Sequence, residues 1–504
     1  MDIELDLPCW GHPSLLVFGI VPFSFDVCAF GTHDDSINQN TSKLQTCKFS
    51  YRYTIYDMKK TIKKSEYKFN TKNKTRKQAN PSTVCGEIRP SSEGWIILHI
   101  HGEPFERGYA HGHLLKSQLS NIETQLDFLF EHDMKISKTE FMTASRKIIT
   151  PILKRRYPEF YEELRGISSG SEISLPLLIA WNSYISLYSH FRDGPPDRCS
   201  AFIATGNATE NGDIIMAHDT HSDFLTGWLG NIILYVTPRH GNSFVMQTLP
   251  GYIASSTDWF LCSSGIMGCE TTISQINYKP KFGDPYFCRI RKAMQYGKSL
   301  NEYEKIMSHR NAGDYACSWL FGDIHTNKIM LFELGLHYKN VKTTTSGVFY
   351  GMNSAIGTEL REKETKDIDH TNITTSSGAR NKRFDELLNH KYKGKINISN
   401  AKKTMADHYD VYLDRNVRNG RSICNHTEEN PEHCSRPPYF PFGCTDAKVV
   451  NTEMAKQMKF VGRFGSACGR EFDVDAYIKK APEYKHWAKV LTDVPSYDWT
   501  IIEK

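Results

Sequence analysis

The chain of 504 residues is long enough to bury a large core, and its formal charge of +5, from 62 basic and 57 acidic residues, is close to balance. That balance gives no reason to make nucleic acid the main partner. No stretch reaches the ~18 uninterrupted apolar residues of a membrane-spanning helix, and 13 cysteines are too sparse for a disulfide scaffold.

The N-terminal run CWGHPSLLVFGIVPFSFDVCAF is apolar but short. It follows Asp2, Glu4 and Asp6 instead of a basic segment, and so makes a poor secretion signal. Residues 43–80 are rich in Lys and Asn without apolar periodicity, which predicts an exposed connector. The functional alternative is a salt-sensitive basic arm that docks on an anionic membrane or nucleic acid. Sequons at Asn40, Asn73, Asn207, Asn372, Asn397 and Asn425 suit a glycosylated secreted or lysosomal protein, although Asn-rich chains generate them by chance. The predicted organisation is an N-terminal region over 1–93, a mainly helical part over 94–198, and a strand-rich part over 199–504 that packs with the second as one domain.

In EGWIILHIHGEPFERGYAHGHLL a strand gives way through Gly102 and Pro104 to a helix. Leu114, Leu115, Leu119, Ile122, Leu126, Leu129 and Phe130 extend the helical period, and further helices are predicted over 139–168 and 175–190. His99 and His101 on a strand share a face, a workable metal geometry, but no third ligand stands at a familiar spacing, and His111 and His113 on a helix point apart. These histidines read as structural, and no metal or organic cofactor is expected.

Beyond residue 198 short strands follow one another: CSAFIAT, DIIMAHD, NIILYVTP, SFVMQTLP, GIMGCETTIS, SWLFGDI, KIMLFELG and GVFYGMN, separated by turn residues. Helices are predicted at 379–390 and 399–410. Grouped strands with helices before and after predict a sheet sandwich covered by helices. Cys262, Cys269, Cys288 and Cys317 fall in or beside apolar strands and read as core, whereas Cys424 and Cys434 either close a polar loop by disulfide or stay as thiols.

Cys199 is different, because it heads a strand directly after the loop RDGPPDR. A thiol with an ordinary pKa of ~8.5 needs a base to act as a nucleophile near neutrality. Cutting the chain between Arg198 and Cys199 supplies one, since the new α-amino group, with a pKa of ~7.7–8.0, sits beside the sulfur. The small Ser200 and Ala201 and the turn GNATENG then fold the strand back so that MAHDT lies alongside.

The segments CSAFI and HDT, with ERGYAHGHLL, GCETTIS, SICNH and ACGREFDVDAYIKKAPEY, resemble in their order the phospholipase B-like family of N-terminal nucleophile hydrolases. The chain is also similar to their relatives, the acyl-coenzyme A:6-aminopenicillanate acyltransferases. The resemblance implies an α+β fold, an αββα sandwich of antiparallel sheets matured by autoproteolysis. It implies that Cys199 attacks the acyl carbonyl, that His218, Asp219 and Thr220 line the nucleophile side, and that Thr271 or Thr272 lies near the cleft. Asn353 is placed like the amide that helps bind the oxyanion. The family usually carries Trp where this chain has His221, which puts the substrate pocket in question. Arg380 and Arg383 are either a helix-surface pair or, for one of them, a support for the nucleophile or an acidic head group. The segment around Cys468 reads as structural. The implied activity is hydrolysis of an ester or amide bond in a small-molecule or lipid acyl substrate. Acyl transfer from the same thioester, and a catalytically inactive binding homologue, are the alternatives; the implied compartment is secreted or lysosomal.

Overall fold

A computed structural model describes residues 84–192, 199–367, 369–430 and 436–504. The chain divides into Met1–Thr75 and Arg76–Lys504, and every described residue belongs to the second unit. The N-terminal apolar run, the whole of the basic segment, Asn40, Asn73, Arg198 and Cys434 lie outside the described residues.

Two large sheets carry the fold. The first has nine strands in the order Gly86–Arg89, Ile96–Gly102, Ile232–Pro238, Phe244–Thr248, Trp259–Cys262, Ile266–Thr272, Cys317–Asp323, Lys328–Leu334 and Lys339–Thr344. The second has six, in the order Gly347–Gly351, Ser200–Gly206, Gly212–Asp223, Phe442–Asn451, Phe460–Phe464 and Thr500–Ile502. Neighbours run antiparallel except Ile96–Gly102 beside Ile232–Pro238, which are parallel. The first sheet takes in Gly86–Arg89, so the ordered sandwich reaches ahead of residue 94.

The alternation of strand side chains builds the layers. Ala201, Ile203, Ile214 and Met216 meet Ile233, Val245, Leu261 and Leu320 between the sheets. Their neighbours Phe202, Ala204, Ile215 and Ala217 point the other way, against Phe384, Leu388 and Met405 of covering helices. On the far side of the first sheet, Leu98, Leu234, Phe260 and Phe321 pack under the helices between residues 104 and 191 and those between 286 and 308. The order is therefore helices, sheet, sheet, helices.

Glycines explain one motif of the sequence. Helix Pro104–Leu114 crosses helix Pro158–Ser171 so closely that a Cβ on Gly108 would lie 2.0 Å from the Glu163 carbonyl oxygen and one on Gly170 2.3 Å from that of Tyr109. Beside this crossing, buried Arg107 and Arg291 both pair with Glu163, at 2.7 and 2.9 Å. The predicted helix over 139–168 is broken at Tyr157, because Pro158 lacks an amide hydrogen and starts a new helix. Helix Ser376–Phe384 begins earlier than residue 379, since Thr375 Oγ1 accepts the Gly378 amide at 3.1 Å and caps it.

Two of the histidines weighed as metal ligands, His99 and His111, have other contacts. His99 stacks on Tyr235 with centroids 4.5 Å apart, and His111 Nε2 accepts the Gly251 amide at 2.9 Å. Of the described sequons, Asn207 and Asn372 are exposed and Asn397 is half-buried, but Asn425 is buried. Its side chain holds the Gly420 carbonyl and the Thr427 amide, so the expectation of an acceptor there is corrected. No helix among the described residues is long and apolar enough to cross a membrane.

Candidate active site

Cys199 stands immediately before strand Ser200–Gly206, which lies inside the six-stranded sheet between Gly347–Gly351 and Gly212–Asp223. Two residues beyond Gly351, which pairs with Ala201, the chain reaches Asn353. Cys199 and Asn353 both adopt left-handed backbone angles, φ 72° and 75°, a conformation that costs residues with a Cβ about 1 kcal/mol or more. The element that holds them there is Arg380.

Arg380 is fully buried. One Nη donates to the Cys199 carbonyl oxygen at 2.8 Å and to Ser200 Oγ at 3.1 Å; the other donates to Asn353 Oδ1 at 2.8 Å. Asn353 in turn donates from Nδ2 to the Thr272 carbonyl oxygen at 2.8 Å. Thr272 Oγ1 shares a 2.6 Å hydrogen bond with the Tyr315 hydroxyl. Cys199, Asn353, Arg380 and Thr272 thus form one chain of contacts, while Thr271 packs against Gly351, where an added Cβ would meet its Oγ1 at 2.2 Å.

Arg383 is not part of this chain. Three residues along a helix leave two side chains about 60° apart, and Arg383 turns to Asp407, with two contacts of 2.8 Å, and to Glu386 at 3.1 Å. Of the two arginines, Arg380 touches the Cys199 strand and Arg383 does not, so they are not a helix-surface pair.

A second correction concerns HDT. Successive strand residues point to opposite faces, so three in a row cannot line one side. His218 and Thr220 face between the sheets: His218 Nε2 lies 3.1 Å from the Glu270 carbonyl oxygen, and Thr220 Oγ1 donates to Asp446 at 3.0 Å. Asp219 and His221 occupy the other face, where Asp219 Oδ1 accepts the Ser200 amide at 2.9 Å and stands 3.2 Å from His221 Nε2. His221 Nε2 also reaches the Ile423 carbonyl oxygen at 3.0 Å. The residue at 221 therefore braces the back of the nucleophile strand instead of shaping the inter-sheet side.

The electrostatics are those of a dry, crowded interior. Burial, then the carboxylates of Glu270 and Asp258, push the Cys199 thiol well up, against a hydrogen bond from the His221 backbone. Burial, and then the Lys448 ammonium, hold His218 well below its usual range and so neutral. Burial raises Asp219, opposed by His221. Burial and the neighbouring Asp258 raise Glu270 far above the carboxylate range, and Tyr315 donates to its Oε1 at 2.7 Å. A carboxyl pair of this kind shares a proton.

Sequence reasoning missed Asp258, Glu270 and Tyr315 and the network beside Thr220. Lys448 Nζ donates to Gln247 Oε1 at 2.7 Å and to Thr220 Oγ1 at 3.0 Å and pairs with Asp446, which accepts Gln247 Nε2 at 2.8 Å. A cavity opens from Thr220 toward the helices, lined by Trp181, Tyr184, Leu249, Tyr252 and Thr257.

No family model matches the chain. It is 24% identical over 265 residues to Protein dcd1B of Dictyostelium discoideum, covering 48% of this chain and 50% of that protein. It is 22% identical over 214 residues to the acyl-coenzyme A:6-aminopenicillanic-acid-acyltransferase 40 kDa form of Emericella nidulans, covering 42% and 57%. An uncharacterised protein of Archaeoglobus fulgidus is 21% identical over 257 residues, covering 47% and 42%. The chain thus spans about half the length of the curated relatives it matches. Among solved structures, a variant of conjugated bile acid hydrolase from Clostridium perfringens aligns with 53% of this chain and 89% of its own, at 9% identity and a TM-score of 0.30.

Proposed function

We propose that the chain is a cysteine N-terminal nucleophile hydrolase that cleaves an ester or amide acyl bond, of the phospholipase B-like kind. The observation that carries this reading is the tie from Arg380 to both the Cys199 carbonyl and the Asn353 side chain, at the head of a strand inside one of two helix-covered sheets. Similarity to an acyltransferase over part of the chain supports the same acyl chemistry.

In the uncut chain the Cys199 nitrogen is an amide and cannot serve as base. Self-processing begins with attack of the Cys199 sulfur on the Arg198 carbonyl carbon, breaking the peptide bond to its own nitrogen, which leaves as the free α-amine, and giving a thioester; water then hydrolyses the thioester, releasing the Arg198 carboxylate and the thiol. That amine then takes the thiol proton as the sulfur attacks a substrate carbonyl. The tetrahedral oxyanion collapses, the leaving alcohol or amine departs with the proton, and water releases the acid from the acyl-enzyme. Asn353 supports the oxyanion once its amide turns from Thr272, a donor of the kind worth about 3 kcal/mol. The cavity beyond Thr220 accommodates an apolar acyl group against Trp181 and Tyr252. An amine accepting the acyl group in place of water gives acyl transfer, the reading that the acyltransferase relative favours. A secreted or lysosomal compartment, with peripheral contact to a membrane surface, completes the proposal.

Intact-mass measurement with N-terminal sequencing tests it. Wild type yields two fragments, the second starting at Cys199, and Cys199→Ala stays whole. An uncut wild-type chain under all conditions overturns the self-processed mechanism.

A further inference from the structure

Outside the candidate active site, four side chains with metal-binding atoms converge. His408 lies just before the short strand Tyr409–Asp410; Cys424 and His426 come from the following loop, and Cys468 from the turn after strand Phe460–Phe464. One nitrogen or sulfur from each lies within 4.8 Å of every other. His426 Nε2 stands 3.4 Å from both the Cys424 and the Cys468 sulfurs. In a tetrahedral zinc site with Zn–S about 2.3 Å and Zn–N about 2.0 Å, the nitrogen-to-sulfur edge is about 3.5 Å.

The surroundings match that chemistry. His426 Nδ1 lies 2.8 Å from Glu428 Oε1, so the ring's other nitrogen is turned to the sulfurs. A carboxylate behind the ring is the arrangement that orients and strengthens a histidine ligand. His408 Nε2 is shielded from solvent and has no hydrogen-bond partner in range. Cys424 and His426 are buried, and the nine described cysteines are all free thiols. Cys444, which is near, has its own contacts, accepting the Ala467 amide at 3.3 Å and donating to the Asp446 carbonyl at 3.5 Å.

We infer that His408, Cys424, His426 and Cys468 form a structural zinc site. Four protein ligands leave no open position for substrate, so the ion is a staple and not a catalyst. What it staples is specific: between Arg421 and Cys424 lies Ile423, whose carbonyl oxygen accepts from His221 at 3.0 Å and from Ser200 Oγ at 3.3 Å. The ion fixes the loop that braces the nucleophile strand from behind. This inference does not depend on the proposed activity.

The test is metal analysis of the full-length protein purified under reducing conditions with Zn(II) supplied. About one zinc per chain is expected in wild type, in Cys444→Ser and in Cys199→Ala, and loss of that zinc in Cys424→Ser and Cys468→Ser. Because the last two variants can fail to fold, X-ray absorption on the wild type gives an independent reading: two sulfurs at about 2.3 Å and two nitrogens at about 2.0 Å. Cobalt(II) in place of zinc adds thiolate-to-cobalt charge-transfer absorption. Folded wild type that holds no zinc overturns the inference, as does a metal shell without sulfur. A disulfide joining Cys424 to Cys468 or Cys444, found by mass spectrometry of the native protein, overturns it too.

Discussion

Replacing Arg380 by Met, in an otherwise uncut Cys199→Ala chain, isolates what the buried guanidinium does for the fold. It donates to the residue-199 carbonyl, Ser200 Oγ and Asn353 Oδ1. Ser200 Oγ keeps its contact to the Ile423 carbonyl, whereas the residue-199 carbonyl and Asn353 Oδ1 each lose the guanidinium's hydrogen bond inside the protein, a loss of about 1–3 kcal/mol apiece. Methionine fills much of the space but relieves neither acceptor, and both strained backbone positions lose their tie. The expected loss is about 3–5 kcal/mol, read from denaturant unfolding of the two uncut chains. Arg380→Lys recovers only part, because a single ammonium does not span two acceptors as a planar fork does. With Cys199 present, the same Arg380→Met change slows self-cleavage on the order of 100-fold through misplacement of Asn353. Arg380→Met with less than about 1 kcal/mol lost and cleavage at the wild-type rate would refute the role given to Arg380.

Glu163→Gln leaves buried Arg291 without its carboxylate and Arg107 with Glu159 alone, an expected loss of about 3–5 kcal/mol by thermal or chemical unfolding. The same carboxyl sits low in the fold, because Arg107 and Arg291 outweigh its burial. Its stabilising contribution is therefore present above the unfolded value of about 4.3 and lost as pH falls through the folded value, a component that Glu163→Gln removes. His111 works in a higher window: burial lowers it to about 4 in the fold, so stability falls by about 3 kcal/mol as pH drops from about 6.5 to about 4. An acid titration of His111→Gln that keeps the wild-type slope there counts against this. Gly108→Ala, which drives a methyl into the Glu163 carbonyl, costs about 1–3 kcal/mol or more and is checked by the unfolding midpoint. In chains made through a secretory pathway, peptide mapping is expected to find sugar on Asn207 or Asn372 and none on folded Asn425.

The strands named from sequence were legible because their apolar residues serve two packed faces, and turns rich in Gly, Asn and Asp separate them. The missed ones lack that signal. Trp259–Cys262 is only four residues long, and Lys339–Thr344 is a polar strand at the sheet edge with most of its side chains in water. Phe442–Asn451 hides two charges, Asp446 and Lys448, in the middle of a buried strand, where their pairing with each other and with Gln247 is visible only in three dimensions. Cys199 stood out through its position at a strand mouth, but the partners that hold it come from far along the chain. Arg380 looked identical in kind to Arg383, and only the helix's rotation against the sheet separates them. The sulfur and imidazole cluster was illegible for the same reason: its ligands are spread from residue 408 to 468, and distance along the sequence sets Cys424 beside Cys434.

Strand Ile96–Gly102 lies within the nine-stranded sheet, hydrogen-bonded in parallel to Ile232–Pro238. If the chain is cut ahead of Cys199, the two resulting fragments own different strands of one continuous sheet and cannot drift apart without breaking it. Before the cut, refolding after denaturation is unimolecular; afterwards it becomes an association of two polypeptides whose yield depends on concentration. A processed molecule would therefore carry a memory of having been one chain, holding its shape under native conditions yet failing to regain it when diluted from denaturant.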